Sequence, residues 1–161
     1  MPKQVPTPGI HHDSRQIVEQ IQNALTGEQI ETALKKSVRI LRQSSDYYDW
    51  VGIYLVKGDA LELTAYAGDS GTEHVRIPIG QGICGSAAKE GHTILVPDVN
   101  RDPRYLACFA STRSEIVVPI IGKKAVLGEI DIDSDRPSAF NAEDQKSLEA
   151  VARKLAIALE N

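Results

Sequence analysis

Cys84, Cys108, Glu115, Asp131 and Asp133 are the residues of this sequence whose types and spacing could do chemistry. A thiol, once ionised, is a soft nucleophile and a redox centre. Clustered carboxylates hold cations or pass protons. Cys108 opens a stretch, running to Ser134, that contains two apolar runs, Ile116–Ile121 and Ala125–Ile132, separated by Gly122-Lys123-Lys124. That pattern predicts two buried strands joined by a short turn. Asp131 and Asp133 lie two apart on the second run, so their side chains share a face. Glu115 opens the first run. In an antiparallel pair it falls beside the end of the second, which is expected to bring three carboxylates together at one end of a sheet with Cys108 just upstream.

Each of these residues has a plainer role to set beside the chemical one. Free cysteines are among the most buried residue types and serve as small apolar side chains. Most carboxylates sit at solvated strand ends or in ion pairs. An Asp-x-Asp inside an apolar strand fits that reading poorly, because an unpaired buried charge is costly. Three converging acids would bind a cation. An ammonium group fits, and so would Ca²⁺ or Mg²⁺, although no loop of alternating acids accompanies them, and no metal is expected. Cys84, Cys108, His74 and His92 contain no close ligand pair of the kind a structural zinc site uses. Gly80-x-Gly82-x-x-Gly85 lacks the strand–helix–strand setting of a dinucleotide fingerprint and is expected to serve a tight turn and close packing. Arg113 could meet a substrate carboxylate or simply face solvent.

The whole chain sets bounds on the partners. Its 161 residues, 42% hydrophobic and 25% charged, fit one soluble globular domain with a full core. A net charge of −4, with Lys and Arg scattered, argues against nucleic acid and anionic membrane. No apolar run reaches membrane-span length and the N-terminus has no signal-peptide pattern. Two cysteines in such a chain read as free or redox thiols more readily than as a structural staple. The cytoplasm is the default location.

The elements that must position these residues follow from periodicity. Residues 1–13, with three prolines and two histidines, form an expected arm ahead of a single domain over 14–161. Ile17, Ile21 and Leu25 mark one helix, and Ile30, Leu34, Val38 and Leu41 a second. Trp50–Val56 and the alternating Leu61, Leu63, Ala65 and Ala67 form a hairpin about Lys57-Gly58-Asp59-Ala60. Val75, Ile77 and Ile79 alternate, with Pro78 suited to an edge. A glycine-rich entry leads into a short helix ended by Gly91, and His92–Val99 is an expected strand. Asn100–Arg113 is a long loop carrying Cys108, and long loops in compact domains are often functional. Asn141 caps a last helix with Leu148, Val151, Leu155 and Leu159 in a stripe. The result is an α+β domain. Its central sheet is mostly antiparallel, with N- and C-terminal helices over one face and loops plus a short helix over the other. The helical stripes are broad enough to suggest a homodimer packed through the terminal helices.

From Ser14 to Leu159 the sequence resembles a GAF domain, and within that superfamily it looks most like the free methionine-(R)-sulfoxide reductases. The resemblance lies in Trp50-Val51-Gly52-Ile53-Tyr54-Leu55, in Ile77-Pro78-Ile79-Gly80-Gln81-Gly82-Ile83-Cys84-Gly85 and in Ala107-Cys108. It continues in Ser114-Glu115-Ile116-Val117-Val118-Pro119 and in Gly128-Glu129-Ile130-Asp131-Ile132-Asp133-Ser134. It implies a GAF-like fold with a ligand pocket under the loops and a short helix. It implies Cys108 as catalytic cysteine and Cys84 as its resolving partner. Glu115, Asp131 and Asp133 would hold the free amino acid, and Trp50 and Tyr54 would line the same pocket. The implied partner is a thioredoxin-like reductant, and no cofactor is implied. The sequence departs from the family pattern at His74, where a third cysteine is common, at Tyr105 in place of a common His, and at Phe109 in place of a common Asp. The alternative is a stand-alone GAF sensor that holds a small ligand in the same pocket without catalysis.

Overall fold

Alternating side chains decide this fold, because one face of each central strand is aliphatic and the other carries acids and aromatics. The computed structural model describes residues 13–107 and 109–161. Helices α1 (Ser14–Leu25) and α2 (Ile30–Gln43) come first, followed by strands β1 (Trp50–Lys57), β2 (Ala60–Ala67) and β3 (Arg76–Pro78). Helix α3 (Gly82–Glu90), strand β4 (Ile94–Val96) and a 3₁₀ turn at Val99–Arg101 lead to β5 (Ser114–Ile121), β6 (Val126–Ser134) and helix α4 (Ala142–Glu160). The strands form one six-stranded sheet in the order β3-β2-β1-β6-β5-β4, and every pairing is antiparallel.

On one face, Val51, Ile53, Ile116, Val118, Ile120, Ile130 and Ile132 pack with Ile17, Ile21, Leu34, Val38, Leu41, Leu148, Val151 and Leu155 of α1, α2 and α4. Burying each such side chain contributes about 1.5–3 kcal/mol, so this layer dominates the stability. The opposite face packs Trp50, Tyr54, Leu61, Ile77 and Val117 against Ile83, Cys84, Ala87 and Ala88 of α3. The α+β arrangement expected from the sequence is therefore the one observed.

The local signals also hold at several boundaries. Asn141 and Asp144 form a reciprocal capping box at the start of α4. Asp144 Oδ1 also accepts from the hydroxyls of Tyr47 (2.9 Å) and Tyr48 (2.6 Å), which ties the segment before β1 to that helix. Gly91 ends α3 in the left-handed conformation, at φ 70°. The strand expected over His92–Val99 shrinks to Ile94–Val96, because Gly91 closes the preceding helix and Pro97 has no N–H to give the ladder. Of the expected arm, residues 1–12 lie outside the described residues. Asp13 N-caps α1 by accepting from Arg15 N. Among the described residues no helix is long and apolar enough to cross a membrane.

Candidate functional site

The register of β5, β6 and β1 places the carboxylates. Asp133 pairs with Glu115 on one side and Trp50 on the other, Asp131 with Val117 and Gly52, and Glu129 with Pro119 and Tyr54. Directly paired residues share a face, so Glu129, Asp131 and Asp133 form a ladder along β6 with Glu115 beside its end. All four are buried: Glu115 is 5% exposed, Glu129 0%, Asp131 1% and Asp133 2%. Both oxygens of Glu129, Oδ1 of Asp131 and Oδ2 of Asp133 have no hydrogen-bond partner among the described residues. Nor does any of those three acids form an ion pair there.

Burial without a counter-charge favours the neutral acid. Desolvation pushes Glu129 and Asp133 well above the ordinary carboxylate range; the Cys84 thiol opposes the rise at Glu129, and Asp131 adds repulsion to both. Asp131 is itself raised by desolvation, while hydrogen bonding to Glu115 and Cys84 pulls it the other way. Cys84 completes the group from α3. Its Sγ donates weakly to Glu115 Oε1 at 3.9 Å. One donor atom each from Cys84, Glu115 and Asp131 lie within 4.8 Å of one another. The Cys84 thiol is pushed well up by burial and then by the negative field of Asp131, Glu129 and Glu115.

Glycines bring α3 this close. A Cβ on Gly85 would lie 2.5 Å from the carbonyl oxygen of Pro78 and 3.0 Å from Gly80 N, so only a hydrogen there lets α3 dock on the end of β3. The glycine motif therefore serves tight turning and close packing, as its sequence context suggested, and it thereby delivers Cys84 to the acids.

Trp50 walls the other end. Cβ atoms on Gly52 and Gly68 would fall 2.3 and 2.5 Å from the indole, so these glycines form its slot. Its Nε1 donates to Ser70 O at 3.2 Å, and its ring lies against Tyr66 and Phe109, with centroids 6.0 and 5.6 Å away. Tyr54 sits beside Glu129 with its hydroxyl donating to His74 O at 3.0 Å. His74 Nε2 lies 3.1 Å from Ala107 O. Cys108 falls outside the described residues, but its chain neighbours are thus fixed, Ala107 by His74 and Phe109 by Trp50. Arg113 is exposed, and its backbone N–H donates to Ser134 O at 2.8 Å.

Two cavities flank this loop. One of about 100 Å³ is lined by Trp50, Asp133, Ser70, Phe109 and Thr112 among others, and one of about 10 Å³ by His74, Cys84, Leu106 and Glu115 among others. Ligand pockets usually measure about 300–1,000 Å³, and neither cavity reaches that size. Larger hollows of about 340 and 650 Å³ lie between the starts of the helices, and neither touches Cys84 or the acid ladder. Sequence reasoning missed Glu129 as a site residue. The signal was present, since Glu129-x-Asp131-x-Asp133 has the period that puts three side chains on one face.

The sequence model of the GAF domain family matches residues 29–159. GAF domain-containing protein A of Dictyostelium discoideum is 33% identical over 140 residues, covering 86% of this chain and 87% of that protein. The solved type II free methionine-R-sulfoxide reductase from Thermoplasma acidophilum is 36% identical with a TM-score of 0.78, covering 87% of this chain and 95% of that one. The free methionine-R-sulfoxide reductase from Neisseria meningitidis, solved in complex with its substrate, is 30% identical with a TM-score of 0.86, covering 97% and 96%.

Proposed function

The chain belongs to the GAF domain family, and on that premise we propose that it reduces free methionine-(R)-sulfoxide to methionine. Likeness to two solved reductases of that substrate supports the reaction. The observation that carries the reading is the ladder of buried carboxyls along β6 with no cationic partner among the described residues, a cradle that suits a cation, which the ammonium group of a free amino acid supplies. In this reading Asp131, Asp133 and Glu115 clamp the ammonium group, Glu129 closes the ladder, and Trp50 walls the side-chain end. Tyr54 acts through His74 on the loop that carries Cys108.

The Cys108 thiolate attacks the sulfoxide sulfur while a protonated carboxyl gives a proton to the departing oxygen. The products are the thioether and a Cys108 sulfenic acid. Cys84 then attacks the sulfenic sulfur, releasing water and closing a disulfide. A thioredoxin-class dithiol reopens it by exchange, taking the disulfide upon itself. Closing the bond requires the two Cα atoms to approach within about 7 Å. We assign this activity to a cytoplasmic homodimer joined through its terminal helices.

The test is NADPH consumption with thioredoxin, thioredoxin reductase and either free or N-acetylated methionine sulfoxide. Turnover is expected with the free amino acid alone. A charge-assisted hydrogen bond contributes about 1.5–3 kcal/mol, so Asp133→Asn should lower kcat/KM roughly tenfold to a hundredfold. Equal turnover of free and acetylated sulfoxide by Asp133→Asn would end the clamp. The alternative, a ligand-holding sensor, is favoured by Phe109 lying over Trp50 where the family commonly has Asp. Calorimetric binding of a free amino acid with no turnover would select it.

A further inference from the structure

We propose that Cys84, Glu115 and Asp131 also form a binding site for a zinc-class divalent cation, with Glu129 as the adjoining carboxylate. Donor atoms around a tetrahedral zinc stand about 3.5 Å apart. Here one sulfur and two carboxylate oxygens already lie within 4.8 Å of one another, and the Cys84 Sγ to Glu115 Oε1 separation is 3.9 Å. Shifts of about 1 Å would complete the geometry. Glu129 is an independent sign of a missing cation. It is fully buried, neither of its oxygens has a hydrogen-bond partner among the described residues, and it lies on the face of β6 that carries Asp131.

Donor chemistry selects the ion. A thiolate is a poor ligand for Ca²⁺ or Mg²⁺ and a good one for Zn²⁺ or Co²⁺. A small cavity of about 10 Å³ touches Cys84 and Glu115 on the side that faces His74. Binding balances as Cys84–SH plus Zn²⁺ giving a zinc–thiolate bond and a proton released to solvent, with the carboxylates supplying the remaining charge. On the reductase reading above, the ion would occupy the ammonium cradle and cap the resolving thiol, so zinc and substrate would exclude each other.

Cobalt(II) titration of the reduced, metal-free full chain tests the site without any substrate. The expected result is one ion per chain with a near-ultraviolet thiolate-to-cobalt absorption that Zn²⁺ abolishes and millimolar Mg²⁺ does not. Cys84→Ser should remove that absorption and Cys108→Ser should keep it. Asp131→Asn and Glu129→Gln, folded by circular dichroism, should weaken binding roughly tenfold or more. Absence of the absorption in the parent chain, or its survival in Cys84→Ser, overturns the site. Should Cys84→Ser fail to fold, unchanged cobalt affinity in Asp131→Asn overturns it equally. Failure of the reductase reading registers separately, as no turnover of free sulfoxide by the metal-free protein.

Discussion

At the scale of single residues, the acid ladder is a site held at a cost. Glu129 has a folded-state proton affinity raised by burial above that of the unfolded chain. Below about pH 4 both states hold the proton and nothing is lost. As pH rises, the unfolded chain ionises first, so stability falls until the folded carboxyl ionises too. Glu129→Gln cannot ionise and escapes this loss. Its melting temperature should therefore exceed that of the parent by several degrees at pH 7, with the gain shrinking toward pH 4. Calorimetric scans at both pH values check it, and an equal drop at both would mean that the carboxyl holds the fold together. The acids on β5 and β6 were legible because period-two alternation fixes a strand's faces. Glu129, inside the expected strand Ala125–Ile132, is legible by the same rule. The bond between His74 and Ala107 was not legible, since it joins residues 33 positions apart through two irregular segments.

At the scale of elements, α3 is the part whose placement decides whether the site exists. Its nine residues bury Ile83, Cys84, Ala87 and Ala88, and its approach is set by backbone contact at Gly85 rather than by side chains. Gly85→Ala should cost about 1–3 kcal/mol by overpacking and lift Cys84 away from Glu115. Urea unfolding should show the loss, and faster alkylation of Cys84 should show the displacement. A variant with parental stability and a parental alkylation rate would mean that α3 has slack to absorb a methyl group. The sequence indicated this helix by its small residues and its Gly91 terminus. The structure buries the Cys84 thiol in the first turn of that helix. Helix periodicity is a weak guide in a segment where glycine and alanine occupy both faces.

At the scale of the whole molecule, the sheet divides labour between its faces. The aliphatic face and three helices supply cohesion, which frees the other face to carry acids that no stable core would choose. The proposed dimer uses the outer helical surface, where Ile157 and Ile30 stand 59% and 41% exposed. Light scattering is expected to give twice the 17.5 kDa of one chain, and a 17.5 kDa particle throughout the micromolar range would exclude it. The fold was readable from the sequence as far as local periodicity reaches; the closeness of α3 to the acids was not, because it depends on contacts between distant segments. One further property follows from Trp50. It is the only tryptophan in the chain, and it is wedged between Gly52 and Gly68 against the phenyl ring that directly follows Cys108. The protein therefore carries its own optical label at the mouth of the site. Every photon of indole emission comes from that position, so any change at the Trp50–Phe109 contact can be timed in the unmodified chain by fluorescence alone.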